Sequence, residues 1–172
     1  MTRGESQGLF ILLEQLGIPY RAVSHPPAWG MEDLPPIEEE LGAVFCKNLF
    51  LTNRQQTEYV LLLVRGDKRF RTAEVSRKLE RPRLSFGDEE MLWQLLGLKP
   101  GGVSPLGLIF DEGHRLEVVI DRDLLAQKEI AMHIGDNTGS IAIKTADLLE
   151  KYIPHCGHKP IYLDITGEVP HG

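Results

Sequence analysis

Residue types that can do chemistry gather in four short segments of the sequence, each beside an apolar run. The segments are His25-Pro26, Lys47-Asn48-Leu49-Phe50-Leu51, Pro100 to Gly107 and His133 to Thr138. The apolar runs predict strands, so each segment lies at the end of a rigid element that can hold a side chain or a backbone amide in place. Groups held in this way can orient a substrate and stabilise charge that develops on it. The four segments together define a candidate site.

Lys47 and Asn48 directly precede the apolar run Leu49 to Leu51. A lysine fixed at the start of a strand can hold a phosphate or an oxyanion that forms during a reaction. The alternative is structural: a charge at the edge of a sheet beside a residue type that favours turns. The residues alone leave both interpretations open.

The segment from Pro100 to Gly107 contains three glycines and two prolines in eight residues. This composition predicts a stiff loop whose backbone N–H groups can approach a ligand closely, beside the Ser104 hydroxyl. Such donors suit an ester carbonyl that becomes negatively charged in the transition state. A simple turn between a helix and a strand is the alternative. The loop matches neither a P-loop nor a GxGxxG fingerprint, which excludes those nucleotide-binding motifs.

His133 ends a predicted strand, with Asp136 and Asn137 in the turn that follows. Imidazole and amide groups there could orient an amine, a hydroxyl or a water molecule, although a single histidine at a strand end is more often structural. A zinc site at His155, Cys156 and His158 is disfavoured because no C-x-x-C pair accompanies them. A Ser104 triad is disfavoured because G-x-S-x-G is absent.

Basic residues concentrate between Arg65 and Arg83, where eight basic residues stand against three acidic ones, a local balance of +5. This is a plausible phosphate-binding surface. The alternative is a solvated surface with interleaved acids. The net charge of the whole chain is −6, which argues against a general nucleic-acid-binding protein.

The elements that must position these segments are predicted from periodicity, caps and breakers. Three helices are predicted, over Ser6 to Leu16, over Glu89 to Leu96 with Ser85 and Asp88 as its capping box, and from Thr145 through Tyr152. Prolines between Pro26 and Pro36 predict a long ordered loop. Strands are predicted over residues 20–24, 49–51, 59–64, 106–110, 116–120, 130–134, 140–143 and 161–165.

Length and composition indicate one globular domain spanning residues 1–172. The chain is 42% hydrophobic and has no run of about 18 apolar residues, so no membrane span is expected. Met1 to Gln7 lack the features of a signal peptide, which predicts a cytoplasmic protein. Its two cysteines are too few for a disulfide framework.

In this order, the four segments resemble the YbaK/ProX family of aminoacyl-tRNA editing domains, which includes the insertion domain of bacterial prolyl-tRNA synthetases. The resemblance covers nearly the whole chain and is closest to the free-standing alanyl-tRNA(Pro) deacylases. The matching motifs are His25-Pro26-Pro27, Lys47-Asn48-Leu49-Phe50-Leu51, Arg83-Leu84-Ser85-Phe86, Leu96-Gly97 and Pro100-Gly101-Gly102-Val103-Ser104-Pro105-Leu106-Gly107.

This resemblance implies a mixed α/β (α+β) fold with a barrel-like sheet, flanking helices and a cleft beside Lys47. It also implies hydrolysis of a wrongly attached alanine from tRNA(Pro), with no metal, no cofactor and no protein nucleophile. The catalytic residues implied are Lys47, Gly102, Ser104 and His133. The substrate-binding residues implied are His25, Asn48, Gly101, Val103, Gly107, Asp136 and Asn137, and the residues expected to bind tRNA are Arg69, Arg71 and Lys78.

One motif departs from the family pattern. Many alanine-specific members have His-Pro-x-x-Asn where this chain has His133-Ile134-Gly135-Asp136-Asn137. Alternative substrates are therefore seryl, threonyl, cysteinyl or 2-aminobutyryl esters, and a further alternative is a non-catalytic module that binds tRNA or a synthetase. The expected partners are mischarged tRNA(Pro) and prolyl-tRNA synthetase, with the protein as a monomer or a homodimer.

Overall fold

Two β-sheets form the framework of the computed structural model, which describes residues 2–167. The smaller sheet has the order β1-β7-β6 and is antiparallel throughout. Its strands are β1 (Arg21–Ser24), β6 (Glu129–Ile134) and β7 (Asp136–Lys144). Sequence periodicity predicted all three strands, and the structure confirms them.

The larger sheet has the order β4-β2-β3-β5-β8 and mixes antiparallel with parallel pairs. Its strands are β2 (Lys47–Thr52), β3 (Tyr59–Val64), β4 (Ser85–Phe86), β5 (Leu116–Asp121) and β8 (Ile161–Leu163). Every residue of β3 is buried, as expected for a continuous apolar run in the centre of a sheet covered on both faces.

Helices cover these sheets. They are α1 (Gln7–Gln15), α2 (Leu34–Leu41), α3 (Thr72–Lys78), α4 (Glu89–Leu96), α5 (Thr145–Asp147) and α6 (Ile153–His155), with a π-helical turn, Leu148–Tyr152, between the last two. The Asp88 side chain caps α4 by accepting from the amide of Met91 at 2.8 Å, and Gly97 ends it in the left-handed conformation. Ser85 lies in β4 and takes no part in that cap.

The fold class is confirmed as mixed α/β with flanking helices. Within residues 2–167 the strands divide between two sheets and do not close into a barrel. None of the helices described is long and apolar enough to cross a membrane.

Two parts of the sequence fold differently from the prediction. The proline-rich stretch does not remain a loop throughout, because Pro35 and Pro36 occupy the first turn of α2, where a missing N–H costs no helical hydrogen bond. The predicted strand over residues 106–110 is wrong. Pro105–Phe110 form a 3-10 helix, because Ser104 Oγ accepts from the amide of Leu106 at 3.2 Å and Pro105 starts the turn.

Helix α3 was not predicted and carries a buried carboxylate, Glu74, whose side chain is 1% exposed. Burial alone would raise the pKa of Glu74, but hydrogen bonds from Lys78, Thr166 and Gly167 outweigh burial and lower the pKa from 4.5 to about 2. The ionised carboxylate therefore ties the chain after β8 to α3.

We expect Glu74→Gln to lower the free energy of unfolding by about 2 kcal/mol at neutral pH, because an amide cannot accept all of these hydrogen bonds. The folded-state pKa lies below the unfolded one, so wild-type stabilisation is present above pH 4.5 and is lost as the pH falls toward 2. Urea unfolding of both proteins across this range, with the exposed Glu39→Gln as control, measures the difference. A difference that stays constant with pH contradicts this account.

Candidate active site

A cleft of about 380 Å³ opens where the two sheets and the N-terminal end of α2 meet. Its polar lining comes from Lys47, Asn48 and His133, and Gly101 and Val103 bring in the glycine-rich loop. Its other walls are largely apolar and are formed by Ala28, Trp29, Gly30, Met31, Leu34, Phe45, Cys46 and Leu49. The structure thus brings together residues from three of the four predicted segments. The fourth segment contributes His25, which does not line the cleft and is linked to His133 through the Ser140 hydroxyl.

Lys47 is the first residue of β2, paired with Val64 of β3. Its ammonium group donates a hydrogen bond to the backbone carbonyl of Lys68. The side chain is half-buried at the cleft and thus combines a fixed position with access to a ligand. This is the arrangement that an electrostatic positioning group requires.

The turn that receives Lys47 is itself fastened to the end of β5. Asp121 is fully buried, and its carboxylate accepts from the amide of Arg65 at 3.0 Å and from Lys68 Nζ at 2.9 Å. Lys68 also contacts Asp123 at 2.7 Å. The Lys68 carbonyl is therefore held in place from a central strand, and the position of the Lys47 ammonium group follows from it.

Asn48 turns its amide back toward the preceding backbone, where Nδ2 donates to the Cys46 carbonyl at 3.3 Å. The Cys46 thiol lies 3.7 Å from Asn48 Oδ1. Burial raises the pKa of Cys46 to about 12, so this cysteine remains a thiol and is a poor nucleophile.

The glycine-rich loop approaches the cleft through Gly101, whose φ of +86° suits glycine. A Cβ at this position would lie 3.1 Å from the Trp29 ring, so the indole packs directly on the loop. The Gly102 amide already donates to the Lys99 carbonyl at 3.1 Å. Within the described residues, the amides of Gly101 and Val103 have no hydrogen-bond partner, and both residues line the cleft.

Three predicted roles in this loop need correction. Ser104 is 1% exposed and caps the following 3-10 helix, so its hydroxyl is not a donor in the cleft. Gly107 is buried, and a Cβ there would collide with the Leu96 carbonyl, which makes it a packing glycine. Gly102 faces Asp136 and Asn137 on the far side of the loop, and its amide is occupied.

His133 lines the cleft from β6, and its ring lies 5.1 Å from the ring of Phe45. Burial lowers its pKa from 6.5 to about 4, with a further lowering from His25, so the ring is neutral at physiological pH. His133 Nδ1 lies 3.1 Å from Ser140 Oγ, and His25 Nε2 lies 2.7 Å from the same oxygen. His25 therefore contacts the site through a shared hydroxyl.

Asp136 and Asn137 lie beside the cleft without lining it. Asp136 accepts from the amide of Thr138 at 2.7 Å, and hydrogen bonding to Thr138 lowers its pKa, so it shapes the start of β7. Asn137 Nδ2 donates to the Ala28 carbonyl at 3.3 Å. Both side chains thus support the cleft wall, and their contact with substrate stays a prediction.

Sequence reasoning missed the apolar wall and Ser140. Trp29, Met31 and Leu34 lie in the stretch predicted as a long ordered loop, and the start of α2 brings them to the cleft. Ser140 was predicted only as a strand residue. Its position directly opposite His133 in the β6–β7 pair was the available signal, because paired residues share a face of the sheet.

Within the described residues, half of the eight basic residues of the basic cluster form salt bridges, namely Arg65, Lys68, Lys78 and Arg81. Lys78 contacts Glu74 at 2.8 Å and also donates to the Asp164 carbonyl, so these partners hold its side chain. Its contact with tRNA stays a prediction. Arg69 and Arg71 are exposed and follow Lys68 directly, next to the turn that holds Lys47. Arg77 and Arg83 are exposed as well. Of the exposed members of the cluster outside these salt bridges, Arg69 and Arg71 are nearest in sequence to the turn that holds Lys47.

His158 is part of the buried framework. His158 Nε2 lies 2.9 Å from Asp111 Oδ2, and both side chains are buried. Residues 2–167 contain no cluster of three or more histidine, cysteine, aspartate or glutamate side chains that could hold a metal ion.

Comparison with known proteins finds a family that matches most of the chain. The model of the aminoacyl-tRNA editing domain matches residues 25–151. The chain is 30% identical over 158 residues to the prolyl-tRNA editing protein ProX of Acetoanaerobium sticklandii, covering 92% of this chain and 96% of that one. It is 31% identical over 153 residues to the prolyl-tRNA synthetase associated domain-containing protein 1 of Danio rerio, covering 88% and 82%.

The fold is shared with a solved structure of a candidate trans-editing enzyme for prolyl tRNA synthetase. The TM-score is 0.63 at 23% identity, and the match covers 94% of this chain and 99% of that one. The family model and the ProX relative define an editing domain, the class that hydrolyses the ester of an aminoacyl-tRNA. The chain belongs to the aminoacyl-tRNA editing domain family, in its YbaK/ProX group.

Proposed function

We propose that this protein is a trans-editing deacylase that hydrolyses alanyl-tRNA(Pro). The observation that carries the proposal is the convergence of Lys47, the free amides of Gly101 and Val103, and neutral His133 on one cleft. Family membership supplies the reaction class, and the names of the ProX and synthetase-associated relatives favour proline tRNA. The proposed setting is the cytoplasm, with prolyl-tRNA synthetase as the enzyme whose errors are corrected.

In the proposed reaction, the aminoacyl ester and terminal adenosine of the tRNA occupy the cleft. Lys47 holds a phosphate or the ester carbonyl, and the amides of Gly101 and Val103 donate to the carbonyl oxygen as it becomes negative. A water molecule attacks the carbonyl carbon and loses a proton, the bond from this carbon to the ribose oxygen breaks, and the ribose oxygen takes up a proton, so free alanine and tRNA are released. Cys46 stays protonated and Ser104 is buried, which favours direct hydrolysis over a covalent intermediate.

Alanine is the proposed substrate because a synthetic site shaped for proline cannot exclude a smaller amino acid by size. A missing methylene group is worth only about 1 to 3 kcal/mol. A second site with walls too tight for proline, but not for alanine, reverses this selection. Ala28, Leu34 and Phe45 are each no more than 9% exposed and provide such walls here.

The purified protein should hydrolyse alanyl-tRNA(Pro) and spare prolyl-tRNA(Pro) without added metal, and a chelator should leave the rate unchanged. Deacylation of a panel of mischarged tRNAs measures this directly. Much faster cleavage of seryl, threonyl, cysteinyl or 2-aminobutyryl esters would show that alanine is not the preferred amino acid. Hydrolysis of none of them would favour the non-catalytic alternative.

Lys47→Ala should lower the single-turnover deacylation rate by roughly two orders of magnitude, because an electrostatic positioning group is lost. Lys144→Ala, which removes an exposed lysine at the end of β7, is the matched control and should retain activity. Thermal melting of the same preparations tests folding. A folded Lys47→Ala protein with most of its activity would remove Lys47 from the mechanism.

Arg69 and Arg71 are proposed to contact tRNA phosphates as the acceptor end enters the cleft. Replacing both with alanine should weaken tRNA binding and reduce the slope of log K against log salt concentration by about one per lost contact. The control is the double replacement of exposed Arg54 and Lys128. An unchanged slope would identify Arg69 and Arg71 as ordinary surface residues.

A further inference from the structure

A single buried hydroxyl lies between the two imidazole rings at the cleft. Ser140 is fully buried in the middle of β7, directly opposite His133 in β6. Its Oγ is 2.7 Å from His25 Nε2 and 3.1 Å from His133 Nδ1. The second nitrogen of His25, Nδ1, is 2.8 Å from the Pro26 carbonyl. These contacts form one chain from the Pro26 carbonyl to His133.

The chemistry of these atoms fixes the direction of every hydrogen bond when both rings are neutral. The Pro26 carbonyl can only accept, so the proton of His25 is on Nδ1 and its Nε2 is an acceptor. The one proton of the Ser140 hydroxyl is then donated to His25 Nε2. Ser140 Oγ must accept from His133, which places the proton of His133 on Nδ1.

We propose that Ser140 and His25 are positioning residues that set the tautomer of His133, leaving its Nε2 as an unprotonated acceptor toward the cleft. An acceptor there can bind the substrate ammonium group or the attacking water, whereas a protonated Nε2 would repel the ammonium group. The hydroxyl is buried, so it acts through His133 and does not itself reach a substrate.

Packing around the ring supports this role. The ring of His133 lies 5.1 Å from the ring of Phe45 and 6.0 Å from the ring of His25, so neighbouring rings restrict its orientation. Burial keeps the ring neutral, which is the condition under which a tautomer is defined. A serine that only filled space would not need both of its hydrogen-bonding functions.

The test is the ¹⁵N chemical shift of both imidazole nitrogens of His133, measured on the full chain labelled at histidine at about pH 8, where histidines are neutral. The His133→Gln spectrum identifies the signals. Wild type should show a protonated Nδ1 and an unprotonated Nε2. Ser140→Ala should redistribute the proton between the nitrogens, and Ser140→Thr, which keeps the hydroxyl, should restore the wild-type pattern.

Ser76→Ala is the matched control, because Ser76 is also buried and hydrogen bonded, far along the chain on α3. The Ser76→Ala substitution should lower the free energy of unfolding without changing the ¹⁵N chemical shifts of His133. If Ser140→Ala does not fold, His25→Phe removes the acceptor of the Ser140 proton and should also populate the Nε2-protonated form. The inference is overturned if His133 of the wild type is protonated on Nε2. It is also overturned if folded Ser140→Ala or His25→Phe has the same His133 tautomer as the wild type.

The catalytic consequence rests on the proposed function. Ser140→Ala should slow single-turnover deacylation by about 10- to 100-fold, less than the largest losses seen for direct acid–base groups, and Ser140→Thr should recover most of the rate. A redistributed tautomer with an unchanged rate would overturn the positioning role. If wild type hydrolyses no mischarged tRNA while the predicted tautomer is observed, the proposed function fails and the tautomer assignment stands.

Discussion

The carboxylate of Asp121 fixes the geometry on which the cleft depends. It ends the central strand β5 without solvent contact, and it accepts from the Arg65 amide and from Lys68. These bonds hold the turn after β3, and the carbonyl of that turn receives the Lys47 ammonium group. A buried carboxylate left without such partners would be strongly destabilising, so the turn and the strand end stabilise each other. The Lys47 ammonium group at the cleft is therefore positioned by a carboxylate in the core.

A second constraint joins the two sheets at the cleft. Phe45, just before β2, forms a parallel bridge with Ala131 of β6, and the Ala131 amide donates to the Val44 carbonyl at 3.0 Å. Lys47 and His133 each lie two residues beyond this bridge. The larger sheet thus contributes a fixed cation and the smaller sheet a neutral imidazole, with the glycine-rich loop alongside. This division explains why neither sheet alone could form the site.

The sequence predicted the first helix, α4 and the strands other than β4, because their periodicity and caps are local properties of the chain. It wrongly added a strand over residues 106–110. It also singled out Lys47, Gly101, Val103 and His133, which the structure places around one cleft. It did not reveal that Ser104 is a cap, because a serine beside a proline is compatible with a loop as well as with a helix start. Ser140 and the α2 wall depend on pairing and packing between distant segments, which no local pattern encodes.

In the proposed reaction, this cleft holds the aminoacyl end of the substrate. The most direct measurement is chemical-shift mapping with a non-hydrolysable analogue in which alanine is joined to the 3′ position of adenosine through an amide. We expect the largest shifts at Lys47, Asn48, Gly101, Val103 and His133, and weaker binding of the matching prolyl analogue. Shifts confined to another face, such as β8 and the surface around Asp164, or equal binding of the prolyl analogue, would contradict the account.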